Sequence, residues 1–353
     1  MSAWKGRSVL VTGGAGFIGS ELVRQLVGYG AEVIVVDNLV NGRRENLSLL
    51  SDHQVRLVVD DIRNAQLMET LLDGRDVVFH LACLGVRHSI HAPYENHEVN
   101  AAATLNLLNL AREKNVGRFV YVSTSEVYGT AVQVPMTEEH PLFPHTVYGA
   151  SKLAGECYTR AYYKTYKFET VVVRPFNAYG PHCHHEGDSG EVIPKFLLRC
   201  LAGLPMVIFG DGTQTRDFTY VADTAAGIIA AGLSDKSVGQ TINLGSGMEI
   251  SINELASKIA STVGSNDFKC IYEKPRPGDV FRLLADNAKA KMLLGYQPQI
   301  PLHEGLEKLK QWYLNLAQDP GKLLESEVVM NWQRPNYVSP SSYLKSTAIP
   351  GSI

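Results

Sequence analysis

The sequence of 353 residues predicts an α/β protein with a doubly wound parallel sheet, followed by a smaller C-terminal α/β domain. In the first half of the chain, short runs rich in Val and Ile alternate with segments of helical periodicity. These runs are apolar throughout, which is typical of parallel strands covered by helices on both faces. The length and a hydrophobic content of 45% allow two packed domains.

The order of elements follows from this alternation. Strands are predicted at residues 8–12, 32–36, 55–59, 77–81, 118–122 and 170–174. Helices are predicted at about residues 17–27, 100–114, 147–166, 192–202, 222–233, 252–263 and 302–316. Because the pattern changes after Asn177, we divide the chain into a cofactor domain at 1–178 and a substrate domain at 179–316. Some segments of the second domain should return to the sheet, and residues 317–353 are predicted to be a loosely held tail.

Charge and cysteine content exclude several classes of protein. The net charge of −3 gives no electrostatic reason to bind nucleic acid or an anionic membrane. The five cysteines contain no Cys-x-x-Cys pair, which argues against a disulfide framework or zinc ribbon and favours the cytoplasm. The His-rich run at 182–186 has metal-type side chains, but consecutive residues do not converge easily on one ion, so we expect no metal.

A glycine motif directly after the first strand predicts a dinucleotide site. Gly13, Gly16 and Gly19 have the G-x-x-G-x-x-G spacing between a strand and a helix. Glycine permits the tight turn and lets the backbone approach a pyrophosphate, while the helix N-terminus supplies N–H donors to the phosphates. The first domain is therefore predicted to be Rossmann-type.

Asp37 predicts the choice of dinucleotide. It ends the second strand, 24 residues beyond Gly13, where a carboxylate meets the adenosine ribose hydroxyls and repels a 2′-phosphate. We therefore expect NAD as the cofactor. Arg43 and Arg44 leave NADP open, since this loop can fold back towards a 2′-phosphate.

A Tyr–Lys pair predicts the catalytic centre. Tyr148 and Lys152 are four residues apart and share one face of the helix predicted at 147–166. A nearby ammonium and an oxidised nicotinamide both favour the phenolate, so we expect the pKa of Tyr148 to fall. Thr124 follows the strand at 118–122, at the sheet edge where ligands bind, and is placed to share a proton with Tyr148.

These motifs resemble the extended short-chain dehydrogenase/reductase family, in its nucleotide-sugar branch. The resemblance covers about residues 7–316. Its segments are T-G-G-A-G-F-I-G at 12–19, D-N-L-V-N-G at 37–42, D-I-R at 61–63, H-L-A-C at 80–83, S-T-S-E-V-Y-G at 123–129, Y-G-A-S-K at 148–152, R-P-F-N-A-Y-G-P at 174–181, V-I-P-K-F at 192–196, G-D-G-T-Q-T-R-D-F at 210–218 and R-P-G-D at 276–279. Cys83 departs from the H-L-A-A that the family usually shows.

The resemblance implies further site residues. Asp61 and Ile62 should border the adenine, and Arg216 and Arg276 should hold the diphosphate, which suits guanidinium groups. The other expected cofactor contacts are Phe17, Ile18, Asn38, Asn41, Gly42, Leu81, Ala82, Cys83, Asn100 and Ser123. The other expected substrate contacts are Ser125, Asn177, Val192, Lys195 and Asp279.

The family implies oxidation of a sugar at C4, after which three reactions remain open. A 4,6-dehydratase, a 4-epimerase and a glucuronate decarboxylase share this step. We favour the dehydratase, because Glu126 supplies a carboxylate base for the C5 proton. Decarboxylases also carry Thr-Ser-Glu, thymidine-sugar dehydratases carry Asp where Ser125 stands, and the segments at 12–19 and 37–42 look more like epimerases or decarboxylases.

Two expectations concern assembly and activity. Relatives pair the helices that correspond to 100–114 and 147–166 into a four-helix bundle, which implies a homodimer. Some proteins of this fold bind a dinucleotide only as sensors or scaffolds, and these often lack the Tyr or the Lys. Thr124, Tyr148 and Lys152 are all present, which favours an enzyme.

Overall fold

The strands form one large sheet and three small ones. The computed structural model describes residues 3–50, 54–187, 189–265, 267–276, 278–330 and 332. Its strands are β1 (Ser8–Thr12), β2 (Glu32–Asp37), β3 (Val55–Val59), β4 (Val77–His80), β5 (Arg118–Val122), β6 (Thr170–Pro175), β7 (Ala178–Tyr179), β8 (Met206–Phe209), β9 (Thr215–Asp217), β10 (Thr219–Tyr220), β11 (Thr241–Leu244), β12 (Glu249–Ser251) and β13 (Cys270–Glu273).

The helices flank these strands. They are α1 (Phe17–Gly28), α2 (Ala65–Leu72), α3 (Val86–His91), α4 (Pro93–His97), α5 (Ala103–Glu113), α6 (Val147–Tyr166), α7 (Val192–Leu201), α8 (Val221–Leu233), α9 (Ile252–Val263), α10 (Ala288–Leu294), α11 (Leu302–Asn315) and α12 (Pro320–Leu323). A π-helical turn at Glu98–Ala102 leads into α5, so the helix predicted from residue 100 begins irregularly.

The large sheet confirms the predicted fold class. Its strand order is β11-β6-β5-β4-β1-β2-β3, and every neighbouring pair is parallel. On β1, Val9 and Val11 face one apolar cluster while Leu10 faces another on the opposite side. Both faces of the sheet are therefore buried, as the continuous apolar strands indicate.

Later segments of the chain complete the sheet layer. Strand β11 pairs with β6, and helix α8 packs against α1 on one face. Residues 221–244 thus lie with the cofactor domain in space, although they follow the boundary placed at 178. A second apolar cluster, built from α7, α9, α11 and their strands, forms the core of the smaller domain.

Local sequence fixes the helix that carries the Tyr–Lys pair. Thr146 caps the N-terminus of α6, where its side chain accepts a hydrogen bond from the Gly149 amide at 3.0 Å. The helix ends at Lys167, which has a left-handed conformation with φ of 58°. The cap places Tyr148 in the first turn, next to the carboxyl end of β5.

The C-terminal segment corrects the prediction of a loosely held tail from residue 317. Helix α12 packs on α7, and residues 324–330 continue along the smaller domain. The Gly187 amide donates to the Ser326 carbonyl at 2.8 Å, and Glu327 forms an ion pair with Arg199 at 2.8 Å. The prediction failed because these contacts involve residues far apart in sequence, which periodicity does not register. Residues 333–353 lie outside the described part of the chain.

Two findings bear on the environment of the protein. Among the helices in the described part of the chain, none is long and apolar enough to span a bilayer. All five cysteines are unpaired. The cytoplasmic location stays a prediction.

Candidate active site

A long cavity at the carboxyl ends of β1, β2, β4 and β5 brings together most of the predicted cofactor residues. They come from separate segments of the chain that meet because parallel strands end at one edge of the sheet. The predicted residues that line it are Gly13, Gly16, Phe17, Ile18, Gly19, Asp37, Asn38, Asn41, Gly42, Asp61, Ile62, Leu81, Ala82, Cys83, Ser123 and Tyr148.

The glycine turn fits a dinucleotide. Gly13 has φ of 72° and lies so close to the β4 side of the site that an added Cβ would sit 2.7 Å from the Ala82 amide nitrogen. A Cβ added to Gly19 would likewise collide with the Gly13 carbonyl oxygen. The turn therefore leaves the backbone bare where a pyrophosphate approaches the N-terminus of α1.

Asp37 is held rigidly at the adenosine end of this cavity. Its carboxylate accepts hydrogen bonds from the Ala15 amide at 3.0 Å and the Leu39 amide at 2.9 Å. Of the two arginines that left NADP open, Arg43 forms an ion pair with Glu186 at 2.6 Å and Arg44 is exposed. The residues present fit NAD, because the Asp37 carboxylate would meet the ribose hydroxyls and repel a 2′-phosphate.

We expect the Asp37→Ala variant to lose discrimination between NAD and NADP. The wild-type protein should bind NAD more tightly by about tenfold or more, the usual effect of a hydrogen bond to a charged group. The dissociation constants of both dinucleotides, measured by calorimetry on cofactor-free protein, give the ratio. Tighter binding of NADP than of NAD by the wild-type protein would contradict this assignment.

Tyr148 lines this cavity and Glu126 lines a second one, while Thr124 lies next to both residues without lining either cavity. The Thr124 and Tyr148 side chains are hydrogen-bonded, and the Thr124 hydroxyl also accepts from the Glu126 amide at 3.2 Å. Desolvation raises the pKa of Tyr148, and the bond with Thr124 opposes this rise. Desolvation also raises the pKa of Glu126, against the lowering effect of Arg216.

Lys152 lies beneath Tyr148 and does not line either cavity. It is 1% exposed, and its Nζ donates to the Val122 carbonyl at 2.7 Å. Desolvation of the phenol raises the pKa of Tyr148 and burial lowers the pKa of Lys152, so the lowering of the Tyr148 pKa by this ammonium stays a prediction. The positive charge of an oxidised nicotinamide is a further influence that favours a phenolate.

The second cavity contains most of the predicted substrate residues. Those that line it, together with Glu126, are Asn177, Val192, Lys195, Arg216, Arg276 and Asp279. Arg216 pairs with Asp279 at 2.7 Å, whereas the Arg276 guanidinium lies 5.3 Å from the Phe209 ring centroid. Burial lowers the pKa of Lys195 to about 8 and, with the charge of Arg87, that of Arg276 to about 10.

Unpartnered polar atoms face this second cavity. Asn177 Oδ1, Arg87 Nε and Arg276 Nε are buried without a hydrogen-bond partner. Buried polar groups usually have partners, so a polar ligand is expected to supply them. The cluster of guanidinium groups matches the oxygens of a diphosphate.

Asn100 and Ser125, like Lys152 above, are predicted contacts that line neither cavity in this structure. Asn100 is 1% exposed and does not line the cofactor cavity; its side chain bonds the Leu84 backbone and donates to Ser151 Oγ at 3.1 Å. It thereby ties the loop beside the cofactor cavity to α6. Ser125 is 3% exposed within a short 3₁₀ turn and lines neither cavity, because the turn directs Glu126 into the substrate cavity instead.

Sequence reasoning missed several charged residues of the site, among them Arg87, Glu191 and Glu327. Arg87 and Glu191 line both cavities, and Glu327 lines the substrate cavity from the C-terminal segment. Arg87 and Glu191 stand within segments that the sequence does flag, the run after H-L-A-C and the start of α7. A charged side chain next to these motifs could have identified Arg87 and Glu191 as site residues. Glu327 stood in a segment without periodicity, and nothing in the sequence around it indicated a site.

The His-rich run forms part of the cover over the cofactor cavity. Glu186 accepts from the His185 amide at 2.9 Å, pairs with His184 at 3.4 Å and bonds Arg43. Within the described ranges, no group of three or more His, Cys, Asp or Glu side chains is arranged to hold a metal ion. The run therefore connects the adenosine side of the cavity to the C-terminal segment through Gly187.

Fold and site together define an extended short-chain dehydrogenase/reductase with a nucleotide-sugar cavity. A family model described as GDP-mannose 4,6 dehydratase matches residues 10–309. The chain belongs to this family, whose members include NAD-dependent nucleotide-sugar epimerases, dehydratases and decarboxylases. The predictions of the family, of NAD as cofactor and of an enzyme are thereby confirmed.

Relatives of this chain are named for each of the three reactions that the sequence left open. A putative UDP-glucose 4-epimerase of Methanocaldococcus jannaschii is 37% identical over 87% of this chain and 98% of its own length. UDP-glucuronic acid decarboxylase 1 of Xenopus tropicalis is 36% identical over 87% of this chain and 72% of its own. The structure of DesIV, a dTDP-glucose 4,6-dehydratase from Streptomyces venezuelae solved with NAD and TYD bound, superposes with a TM-score of 0.82 at 35% identity, covering 87% of this chain and 97% of that one.

Proposed function

We propose that this chain is a nucleotide-hexose 4,6-dehydratase that works through a 4-keto sugar. The observation that carries this proposal is the position of Glu126. Its carboxylate lines the substrate cavity and its charge acts on the pKa of Tyr148, which supports placing one sugar ring between the two groups. A base beside the C4 oxidation site is what removal of the C5 proton requires.

The side chains divide the chemistry between two carbons. Tyr148, oriented by Thr124, takes the proton of the C4 hydroxyl; NAD, when bound, would supply the redox chemistry, as hydride acceptor from C4 and hydride donor to C6. Glu126 then takes the C5 proton, which the 4-keto group has made acidic. The C5–H electron pair forms the C5–C6 double bond as the C6 hydroxyl leaves, and the proton held by Glu126 departs with it as water. When C6 is reduced, C5 takes up a proton from Glu126, which solvent reprotonates, and Tyr148 gives its proton back to solvent.

The arginines and Asn177 hold the rest of the substrate. Arg276 and Arg216 line the same cavity as Glu126, and their guanidinium groups suit the two phosphates. Asn177 has an unpartnered carbonyl oxygen that fits a sugar hydroxyl. Binding energy at the diphosphate positions the reacting carbons without contributing to the chemistry itself.

A 4-epimerase is the second candidate. Relatives named as UDP-glucose 4-epimerases match nearly the whole of their own length at 37% and 38% identity. The epimerase uses the same Tyr148 step but returns hydride to the opposite face of C4, so Glu126 has no required role. A uronate decarboxylase is the third, supported by the relatives named for that reaction.

Product analysis tests the proposal. The protein, supplied with NAD, is incubated separately with UDP-glucose, dTDP-glucose, GDP-mannose and UDP-glucuronic acid, and products are separated and weighed by mass spectrometry. Loss of the mass of one water supports the dehydratase. Unchanged mass with altered retention indicates the epimerase, and loss of the mass of carbon dioxide indicates the decarboxylase.

We also propose that the chain forms a homodimer through α5 and α6. Leu105 on α5 is 36% exposed and Tyr166 on α6 is 52% exposed, and both are suited to a helix interface. A two-fold contact between these helices and their copies would bury both side chains. Light scattering at micromolar concentration should give twice the chain mass, and a monomer would contradict the proposal.

A further inference from the structure

Two residues mark the junction between the cofactor and substrate cavities. Among the described residues, Arg87 and Glu191 line both. Arg87 lies in the first turn of α3, Glu191 directly precedes α7, and their charged atoms are 3.7 Å apart. The inference below rests on the proposed function: C4 must approach the nicotinamide while the diphosphate stays among the arginines, so the sugar ring lies at this junction.

The charges at the junction are mostly negative. The Glu191 side chain is 47% exposed and opposes the Arg87 guanidinium, whose side chain is 13% exposed. The Glu126 carboxylate lines the same substrate cavity as Arg87 and Glu191. The charge of Arg87 lowers the pKa of Glu126, and the charge of Glu191 raises it. The charges of Glu126 and Glu191 also both raise the pKa of the Tyr148 hydroxyl. Arg216, whose charge also acts on Glu126, pairs with Asp279 at 2.7 Å, so both cations beside Glu126 already have a carboxylate partner and Glu126 adds a further negative charge.

A third carboxylate at this place is unfavourable. A sugar with a C6 carboxylate would bring it close to Glu126 and Glu191, and like charges at such distances repel strongly where water is limited. The neutral C6 hydroxyl of a hexose meets no such repulsion and can donate a hydrogen bond to a carboxylate. Arg87 would attract a uronate, but Glu191 already pairs with it.

We propose that Glu191 is a specificity-determining residue that selects nucleotide hexoses over nucleotide uronates by neutralising Arg87. Removing its charge leaves Arg87 free to pair with a C6 carboxylate. Discrimination at C6 thus depends on one carboxylate that contacts the sugar end of the substrate and takes no part in proton transfer.

Binding measurements on turnover-blocked protein test this inference. The Tyr148→Phe protein with NAD is titrated with UDP-glucose and with UDP-glucuronic acid in a calorimeter. We expect at least about tenfold tighter binding of UDP-glucose, the scale of one charge-assisted contact. Adding Glu191→Gln should strengthen the binding of UDP-glucuronic acid and so reduce the ratio of the two affinities about tenfold. Adding Arg87→Met as well should abolish this gain in affinity for UDP-glucuronic acid.

Glu327→Gln is the matched control. It removes the same charge from the same cavity, but beside Arg199 rather than at the junction. It should change both affinities alike and leave their ratio unaltered. The inference would be overturned, with the proposed function intact, if Glu191→Gln left the ratio of affinities unchanged. Equal binding of the two nucleotide sugars by the protein that keeps Glu191 would overturn it as well.

The choice of nucleotide is separated from the choice of sugar. If neither uridine compound binds, the titration is repeated with GDP-mannose and GDP-mannuronic acid, and with dTDP-glucose and dTDP-glucuronic acid, which differ in the same way at C6. Failure of all three pairs to bind would contradict the proposed function and the inference with it. Binding of a hexose with the predicted response to Glu191→Gln supports both.

Discussion

The Tyr148→Phe variant is expected to lose about 10³-fold in turnover, within the usual range for a positioned acid–base group. The Tyr148 phenol is hydrogen-bonded to Thr124 and lines the cofactor cavity, and its oxygen is needed to take the C4 hydroxyl proton. Without that oxygen the C4 hydride cannot leave. Absorbance of reduced nicotinamide after substrate addition should therefore not rise.

Tyr29→Phe provides a matched control for this loss. Tyr29 directly follows α1, is 43% exposed and lines neither cavity, so the same atom is removed away from the site. Its turnover should equal that of the wild-type protein. Nicotinamide reduction at the wild-type rate in Tyr148→Phe would show that another group takes the C4 proton.

The Glu126→Gln variant is expected to separate sugar oxidation from the later steps. Tyr148 and Thr124 remain in place, so substrate should still reduce bound NAD, and the reduced form should accumulate. Product formation should fall by about 10²-fold or more, because the amide cannot accept the C5 proton. Glu139→Gln, which removes a carboxylate from an exposed position, should leave both rates unchanged.

Isotope exchange adds a second measurement on the same variant. Deuterium at substrate C5 should wash out into water with the wild-type protein and persist with Glu126→Gln. Burial raises the pKa of Glu126, so wild-type exchange should decline with falling pH at a higher pH than an ordinary glutamate would give. If Glu126→Gln forms product at the wild-type rate, the dehydratase assignment fails and the 4-epimerase becomes the better explanation.

The sequence alone determined the fold class and most of the cofactor site. Strands such as Ser8–Thr12 and helices such as Val147–Tyr166 have the predicted bounds, because side-chain periodicity and capping by Thr146 act within a few residues. The glycine turn and Asp37 were identifiable for the same reason. Each stands at a strand end, and the ends of parallel strands lie at one edge of a sheet whatever the details of packing.

Only the tertiary structure decided which charged groups meet at the two cavities and which partners they have. Arg87, Glu191 and Glu327 come from three distant segments, and their roles depend on which of them meet across the two cavities. The same holds for Lys152, whose ammonium contacts the Val122 carbonyl rather than standing free beside Tyr148. Contacts between segments far apart in the chain follow from the packing of whole elements, and local patterns do not encode them.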